Sequence, residues 1–400
     1  MIDSTMTGVL VIVLAAVLSP IVADAAGRFV RVPNVVLEIL LGVVCGPVLL
    51  GWIKVDDLID AIAQFGLSML MFMAGYEIEF ARIKGRPIRL AIYGWFASLA
   101  LALLVALATN GFTLAAQVIG LALCTTALGT ILPMVRDAGA LPTPFGSRVL
   151  GIGALGEFGP IVAMAFVFSE DARWHTVTVI GLFTVIAIVA AVMAARPRHP
   201  LLARLVDSTM SSSGQLAVRI VMVVLIAMIA MAHAFGLDVL LGAFAAGIVI
   251  RLAVASGPDD EEHVISAKLD AIGFGFLIPF FFVVSGAKLD LKALFTDPHS
   301  LLLIPVFLVA LLLVRGLPTY LLHRRDPELR PHENKALALF AAAGLPLIVV
   351  ITNTGVEEGA ISTAHAAAMV TAGVLSVMIY PLVALRLYRS ANRECEDLSA

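Results

Sequence analysis

Thirteen apolar stretches follow one another along this chain, and the gaps between them leave no room for a soluble domain. Their approximate limits are 7–26, 34–53, 59–80, 90–109, 114–135, 149–168, 175–195, 214–235, 237–254, 271–287, 300–322, 336–354 and 363–386. Each is near the roughly 20 residues that carry a helix across about 30 Å of hydrocarbon. Inside a bilayer no water satisfies backbone N–H and C=O groups, so the stretches are expected to be helices. Composition removes the soluble alternative. Of the 400 residues, 60% belong to the set AVILMFWYC and 14% are charged, against about 25% charged in an ordinary soluble domain. The expected fold is therefore an all-α polytopic membrane protein with about 13 transmembrane helices. It forms a single membrane domain over residues 1–400, with spans over about 7–386 and a short tail at 387–400. The net charge of -3 and the lack of a long basic run argue against a nucleic-acid partner. Cys45 and Cys124 lie in apolar runs and Cys395 in the tail, none with metal-ligand spacing.

The first stretch has one feature of a secretory signal, the small-residue run Ala23-Asp24-Ala25. Its leading segment holds no Lys or Arg and contains Asp3, so it reads as a retained span. With the N-terminus outside, 21 of the 26 basic residues fall in inner loops and the tail, among them Arg28, Arg31, Arg82, Arg136, Arg196 and Arg251. Lys54, Arg173, Lys288 and Lys292 fall outside, and Arg315 lies within a span. The asymmetry predicts an N-out, C-in topology with a cytoplasmic tail.

Two segments resemble each other. The third stretch opens on Ile59-Asp60-Ala61-Ile62 and closes on Gly75-Tyr76-Glu77-Ile78-Glu79. The tenth opens with Leu269-Asp270-Ala271-Ile272 and closes on Gly286-Ala287-Lys288-Leu289-Asp290. Seven stretches separate them, an odd number, so the copies face opposite ways. Inverted repeats of this kind mark secondary transporters, whose substrate sits near the midplane between discontinuous helices. The fifth stretch carries Thr125, Thr126 and Gly129 followed by Pro133, and the twelfth carries Gly344 and Pro346. Gly and Pro weaken a helical ladder, and the carbonyls so freed, with the two Thr hydroxyls, could ligate a small cation.

Ionisable residues within the stretches are few. Glu157 sits mid-stretch among Gly153, Gly156 and Gly159, Arg315 lies in the eleventh stretch, and Glu38 lies early in the second. A charge at the centre of a membrane helix costs roughly 2.5–3.5 kcal/mol on the insertion scale, which makes it a functional candidate. Burial and a neighbouring cation act on a carboxyl in opposite senses, and their balance lets Glu157 trade a proton for a cation near neutral pH. Arg315 is its candidate charge partner, or a structural ion pair. Glu38, near a helix end, reads as structural.

At these residues the sequence resembles the second branch of the cation:proton antiporter superfamily, the sodium/proton and potassium/proton exchangers. The likeness covers nearly the whole chain. It is carried by Val32-Pro33-Asn34-Val35-Val36-Leu37-Glu38-Ile39-Leu40-Leu41-Gly42, by Phe72-Met73-Ala74-Gly75-Tyr76-Glu77-Ile78, by Leu241-Gly242-Ala243-Phe244-Ala245-Ala246-Gly247 and by Pro279-Phe280-Phe281-Phe282-Val283-Val284-Ser285-Gly286. The resemblance implies thirteen spans, two crossed discontinuous helices, a mobile core beside a dimerisation domain, and a homodimer in the cell membrane. It implies that Glu157 takes the place of the ion-binding aspartate, that Thr125 and Thr126 match polar positions of the first broken helix, and that Arg315 stands where the family has a basic residue, often Lys. One departure is plain. The family usually precedes its aspartate with Asp, Asn or Gln, and this chain has Gly156. The chain also ends soon after Tyr388, so the soluble nucleotide-binding domain of the gated potassium-efflux relatives is not expected.

These readings converge on a secondary active antiporter that exchanges Na+ or K+ for H+ by alternating access. With one carboxylate at the acidic-pair position, the exchange is expected to be electroneutral. Two alternatives stay open: an ion-coupled transporter of an organic anion on a related fold, held by Arg315 and helix N-termini, and a non-transporting sensor-like relative. No metal-ligand set, nucleophile elbow or phosphate loop is evident, so neither cofactor, resident metal nor enzymatic activity is expected.

Overall fold

A computed structural model describes the molecule over residues 2–27, 33–78, 80–111, 113–168, 173–194, 215–255, 259–289 and 298–399. Of the basic residues that set the expected orientation, Arg28, Arg31, Arg196, Arg198, Arg204 and Lys292 lie outside the described residues. So do Glu79 and Asp290 of the repeated motif and the side chains of Pro133, Arg173, Arg393 and Cys395. All regular structure among the described residues is helical. Apart from the one-turn helix Phe80–Ile83, the α-helices are α1 (Ile2–Gly27), α2 (Asn34–Cys45), α3 (Asp57–Tyr76), α4 (Arg86–Asn110), α5 (Leu114–Leu123), α6 (Leu128–Asp137), α7 (Pro144–Val167), α8 (Arg173–Ala194), α9 (Leu216–Ala234), α10 (Val239–Val254), α11 (Asp259–Ile272), α12 (Ile278–Lys288), α13 (Pro298–Leu311), α14 (Leu317–His323), α15 (Pro331–Ala341), α16 (Pro346–Glu357) and α17 (Thr363–Ser399).

Ten helical stretches among the described residues are long and apolar enough to cross a membrane, and three shorter apolar helices, Asn34–Cys45, Val177–Met193 and Val239–Val254, coincide with the remaining apolar runs. Local chemistry sets several boundaries. The Asp56 carboxylate caps α3 by accepting from Ile59 N at 3.0 Å, and Thr143 caps α7 by accepting from Gly146 N at 3.2 Å. The expected stretch 34–53 stops early, because Gly46-Pro47 turns the chain after α2. A π-helical turn, Gly273–Leu277, joins α11 to α12, and a second, Leu312–Gly316, joins α13 to α14. Each ends two residues before a proline, Pro279 or Pro318, whose missing N–H relaxes the ladder. Helix α17 runs past the last apolar stretch to Ser399, so the expected tail begins as helix.

The helices sort into two bundles by what they pack against. In one, α1, α2, α3, α9, α10 and the α11–α12 pair contact each other. In the other, α4 to α7 and α13 to α17 do so. Helix α8 rests mainly on α10, and the seam between bundles is thin, formed where α3 and α10 meet α6 and α7 and where α2 meets α17. We call the first the wall bundle and the second the site bundle.

The wall bundle is closed by glycines at backbone contact. A β-carbon on Gly42 would stand 2.0 Å from Val283 O, and one on Gly286 would stand 2.1 Å from Ile39 O, so α2 and α12 touch reciprocally. Helices α10 and α3 repeat the arrangement, with Gly247 facing Phe72 O at 2.0 Å and Gly75 facing Phe244 O at 2.2 Å. Small residues that let backbones approach are the means by which helices associate in lipid, where hydrophobic burial no longer drives contact.

Candidate ion-binding site

The site is built where two interrupted helices meet. Helix α5 stops at Leu123 and α6 restarts at Leu128, leaving residues 124–127 extended or turned; α15 stops at Ala341 and α16 restarts at Pro346. The two gaps satisfy each other. Ala127 N donates to Ala343 O at 2.8 Å, and Thr126 Oγ1 donates to Ala341 O at 2.6 Å. The hydroxyl of Ser376, on α17, accepts from Gly344 N at 3.2 Å and lies 3.1 Å from Gly344 O, closing the second gap from behind. Backbone that leaves the helix at membrane depth is tolerated only when buried in protein with its polar groups met, and these bonds meet that demand.

Helix α7 passes beside the gaps and presents Glu157, which is 5% exposed. Its Oε1 accepts from Leu128 N at 2.9 Å and from Gly129 N at 3.4 Å, the first two free N–H groups of α6. A helix N-terminus carries partial positive charge and unpaired donors, so it complements a carboxylate. Oε2 is buried and, among the described residues, has no hydrogen-bond partner. An unmet buried acceptor of this kind costs about 1–3 kcal/mol, and a proton or a small cation would satisfy it.

Pro160 has a local role that its place within α7 does not advertise. It has no N–H to offer the carbonyl four residues before it, that of Gly156. The freed Gly156 O instead accepts from Thr126 N at 3.1 Å, which pins the first gap to α7. Gly156 is bare for a second reason. A β-carbon there would stand 2.4 Å from Thr126 Cβ and 2.7 Å from Arg315 Nη2. The space that a side chain would claim is filled by the guanidinium and the threonine.

Arg315 is 1% exposed and lies in the π-helical turn. Its Nε donates to Thr126 Oγ1 at 2.9 Å and its Nη2 to Ile152 O at 3.0 Å. The expected pairing with Glu157 takes another form. No ion pair joins the two among the described residues. The reason is geometric: the guanidinium lies over Gly156 on the Thr126 side, while the Glu157 carboxyl points to the α6 N-terminus. Thr125 Oγ1 donates to Ala122 O at 2.9 Å, and a β-carbon on Gly344 would meet that oxygen at 2.7 Å. The structure thus brings Glu157, Thr125, Thr126, Arg315, Gly129, Gly344 and Pro346 to one crossing. Both Thr hydroxyls are engaged in holding the gaps. Glu38 is buried on α2, in the wall bundle, away from this crossing.

The residues that sequence reasoning missed are Ser376 and Glu77. Glu77 follows the last residue of α3, and its Oε2 is buried without a hydrogen-bond partner among the described residues. A β-carbon on Gly129 would stand 3.9 Å from that oxygen. Its signals in the sequence are the repeated motif Gly75-Tyr76-Glu77 and the family-like segment Phe72–Ile78 that contains it. Farther along the seam, toward the N-terminal end of α3, a cavity of about 120 Å³ is lined by Asp60, Asp238, Lys288, Asn353 and Glu357. Glu157 does not line it.

Comparison with known proteins places the chain. Residues 13–386 match the family described as sodium/hydrogen exchanger, transmembrane. The chain is 26% identical to the putative Na+/H+ antiporter YjbQ of Bacillus subtilis, over 97% of this chain and 64% of that protein; it therefore spans less than two thirds of that relative's length. It is 22% identical to the Na+/H+-K+ antiporter GerN of Bacillus cereus, over 87% of this chain and 88% of that protein. Its fold is similar to that of the sodium proton antiporter MjNhaP1 from Methanocaldococcus jannaschii, with a TM-score of 0.67 and 18% identity over 96% of this chain and 99% of that one. The family match runs through almost the whole sequence, and its helices are those that build the crossing around Glu157: the chain is a multi-pass membrane protein belonging to the transmembrane sodium/hydrogen exchanger family of cation:proton antiporters.

Proposed function

We propose that the protein is a secondary active antiporter that exchanges Na+ or K+ for H+ across the cell membrane, one for one, with Glu157 as the group that carries either. The observation that carries this reading is the division of labour on one carboxyl. Oε1 is held by two N–H groups of α6, and Oε2 is buried and free to take a proton or a cation. The two occupants compete for the same oxygen, which is what couples their movements.

Alternating access is read from the thin seam. The site bundle moves against the wall bundle and exposes Glu157 first on one side and then on the other. The inverted-repeat reading is supported by the doubled glycine contact. Residues 39 and 42 of one contact correspond to 244 and 247 of the other, and 72 and 75 to 283 and 286. Thirteen crossings, an N-out topology and a homodimer complete the reading, on the pattern of apolar runs, the basic residues and the family. Between Na+ and K+, the sequence of relatives points both ways, because one is named for Na+ alone and another for both.

The test is reconstitution into proteoliposomes with a trapped pH-sensitive dye. Addition of Na+ or K+ outside is expected to release protons from the lumen with saturation. Absence of a response to Na+, K+ and Li+ across the pH range would overturn the proposal.

A further inference from the structure

The cavity farther along the seam takes no part in the exchange described above. It lies between α3, α10 and α12 of the wall bundle and α16 of the site bundle. Along three of these helices its lining runs from a charged residue to an apolar one about two helical turns away: Asp60 to Leu67, Lys288 to Phe281 and Glu357 to Val350. Asp238 caps α10 beside them, its Oδ1 accepting from Leu240 N at 2.9 Å. The charged residues stand at helix ends and the apolar ones within the helices, so the cavity is a vestibule with a polar mouth and an apolar floor. On α16 the floor residue Val350 is four residues from Pro346 at the crossing, about 6 Å at 1.5 Å per residue. The floor therefore lies on the side of the ion site.

The mouth holds three carboxyls and one ammonium. Lys288 Nζ pairs with Asp60 Oδ1 at 2.5 Å, and the two side chains remain 34% and 40% exposed, so the pair faces water. Glu357 has no ion-pair partner among the described residues. Nor, among them, are three acidic, histidine or cysteine side chains placed to hold an ion together. What the mouth offers a passing ion is therefore a field. An exposed ion pair contributes little to stability, but a charge at the mouth of a cleft acts on every ion that enters it. The positive charge here departs from the repeated motif. Lys288 stands where the other copy has Glu77, and Asp60 stands where it has Asp270. One end of the wall thus carries an ion pair where the other carries two carboxyls.

We propose that Lys288 is a tethered cation in the outer vestibule of the exchanger, and that it sets how strongly ions from outside are drawn toward the site. The inference rests on the antiport and N-out readings. Three carboxylates make the mouth attractive to Na+, K+ and H+ alike. The Lys288 ammonium occupies Asp60 and cancels one of the three charges, which holds down the local concentration of every entering cation. A monovalent cation and a proton carry the same charge, so the field changes the access of both by the same factor. Half-saturation on the outer face shifts with it, whereas the gradient at which exchange balances does not. Lys288, Asp60 and Asp238 belong to the wall, so in the proposed cycle they keep their charge at the mouth while the site bundle moves.

The test reads dye-monitored exchange at low ionic strength in right-side-out and everted membrane vesicles, which present the outer and the inner face to added Na+ or K+. Lys288→Gln is expected to lower the half-saturating cation concentration on the outer face by about threefold and to leave the inner-face value unchanged. Asp60→Asn removes a carboxylate and leaves the ammonium, so it is expected to raise the outer-face value. Lys288→Arg keeps the charge and is expected to behave as wild type. Choline chloride is expected to shrink both shifts, because exposed charges are screened by salt. Should Lys288→Gln fail to insert, Lys288→Met is read the same way. An unchanged outer-face value or equal shifts on both faces would overturn the proposal. So would shifts of the same sign in Lys288→Gln and Asp60→Asn, which would mark the pair as a structural clasp. The readings beneath it fail separately. A wild type silent in both kinds of vesicle removes the antiport, and a Lys288→Cys variant that an impermeant maleimide labels only in everted vesicles removes the N-out topology.

Discussion

The wall and site bundles use similar lengths of chain for opposite ends. In the wall, α2 with α12 and α3 with α10 are drawn together by glycines that leave no space for a β-carbon. Its helices stay whole except for one π-helical turn. In the site bundle two helices are interrupted, and the buried polar residues Thr125, Thr126, Glu157, Arg315 and Ser376 gather at the gaps. A second buried group anchors it, where Arg148 pairs with Asp326 at 2.9 Å and ties α7 to the turn between α14 and α15. The seam between the bundles is mainly apolar side chain, as where Phe158 stacks on Phe244 with ring centroids 5.4 Å apart. Interdigitated backbones resist sliding, and stacked side chains permit it. The difference teaches that rigidity and polar chemistry are segregated, and on the proposed antiport the wall is the fixed surface past which the site bundle carries Glu157.

The largest effect belongs to the site bundle. Glu157→Gln keeps shape and the bonds from α6 while removing the titrating oxygen. It is expected to insert and fold and to lose exchange by at least 100-fold in the dye assay. Exchange at a normal rate would place the ion group elsewhere and erase the contrast between bundles. Glu157→Asp is milder. It shortens the reach to Leu128 N and Gly129 N by one methylene, so altered apparent affinity rather than complete loss is expected.

The next largest effect belongs to the wall. Gly42→Val and Gly247→Val each force a β-carbon onto a carbonyl oxygen of the facing helix. Overpacking of this kind costs about 1–3 kcal/mol, and melting temperature falls about 2–4 °C per kcal/mol in chains of 150–250 residues. Both variants are expected to melt several degrees lower in detergent, by similar amounts because the two contacts correspond. Gly181, on α8, has open space around it, and Gly181→Ala is expected to leave melting unchanged. A Gly42 or Gly247 variant as stable as wild type would show that the wall yields.

Much of this division was legible in the sequence, for a physical reason. In a bilayer the backbone must be satisfied within the helix, so apolar runs and helices coincide, and Gly and Pro mark where a helix yields. The gaps at 124–127 and 342–345 follow from that rule. Contacts between distant residues were not legible. Gly156 reads as a missing acid, but its bareness reflects Arg315 Nη2 and Thr126 crowding the place from other helices. Glu77 reads as part of a motif, and only the fold brings it beside Gly129. The freeing of Gly156 O by Pro160 was available from their spacing of four, but its acceptor role depends on Thr126, thirty residues earlier.

A smaller effect separates the two threonines. Thr126 Oγ1 both accepts from Arg315 Nε and donates to Ala341 O, whereas Thr125 Oγ1 donates to Ala122 O in its own turn. A hydrogen bond to a charged group contributes about 1.5–3 kcal/mol. Thr126→Val removes one and loosens the guanidinium over Gly156, so a rise of about tenfold in the half-saturating cation concentration is expected. Thr125→Val is expected to change it by less than threefold. Equal effects would mean that both hydroxyls serve the cation directly, and no effect from either would detach the gap from the ion site.

The smallest expected effect is a null result, and it bears on what each bundle carries across the membrane. Only groups that move with the site bundle enter the charge count. In the proposed cycle Glu157 moves, and it is neutral whether it holds a proton or a monovalent cation. Arg315 would move with it, but a guanidinium keeps its charge throughout, so its contribution cancels over that cycle. Gly156 has no group to titrate. Glu38 is buried in the wall bundle, and Glu77 is half-buried there with its Oε2 buried; in the proposed cycle the wall stays in place, so neither adds a transported charge. A membrane potential is worth about 2.3 kcal/mol per charge per 100 mV, and with no net charge moved it does no work on the cycle. In proteoliposomes with a clamped potential, the cation gradient at which net flux vanishes is therefore expected not to depend on voltage. A null point that shifts with voltage would mean that a second charge travels, and the boundary between wall and site bundle would have to be redrawn to include Glu77 or Glu38.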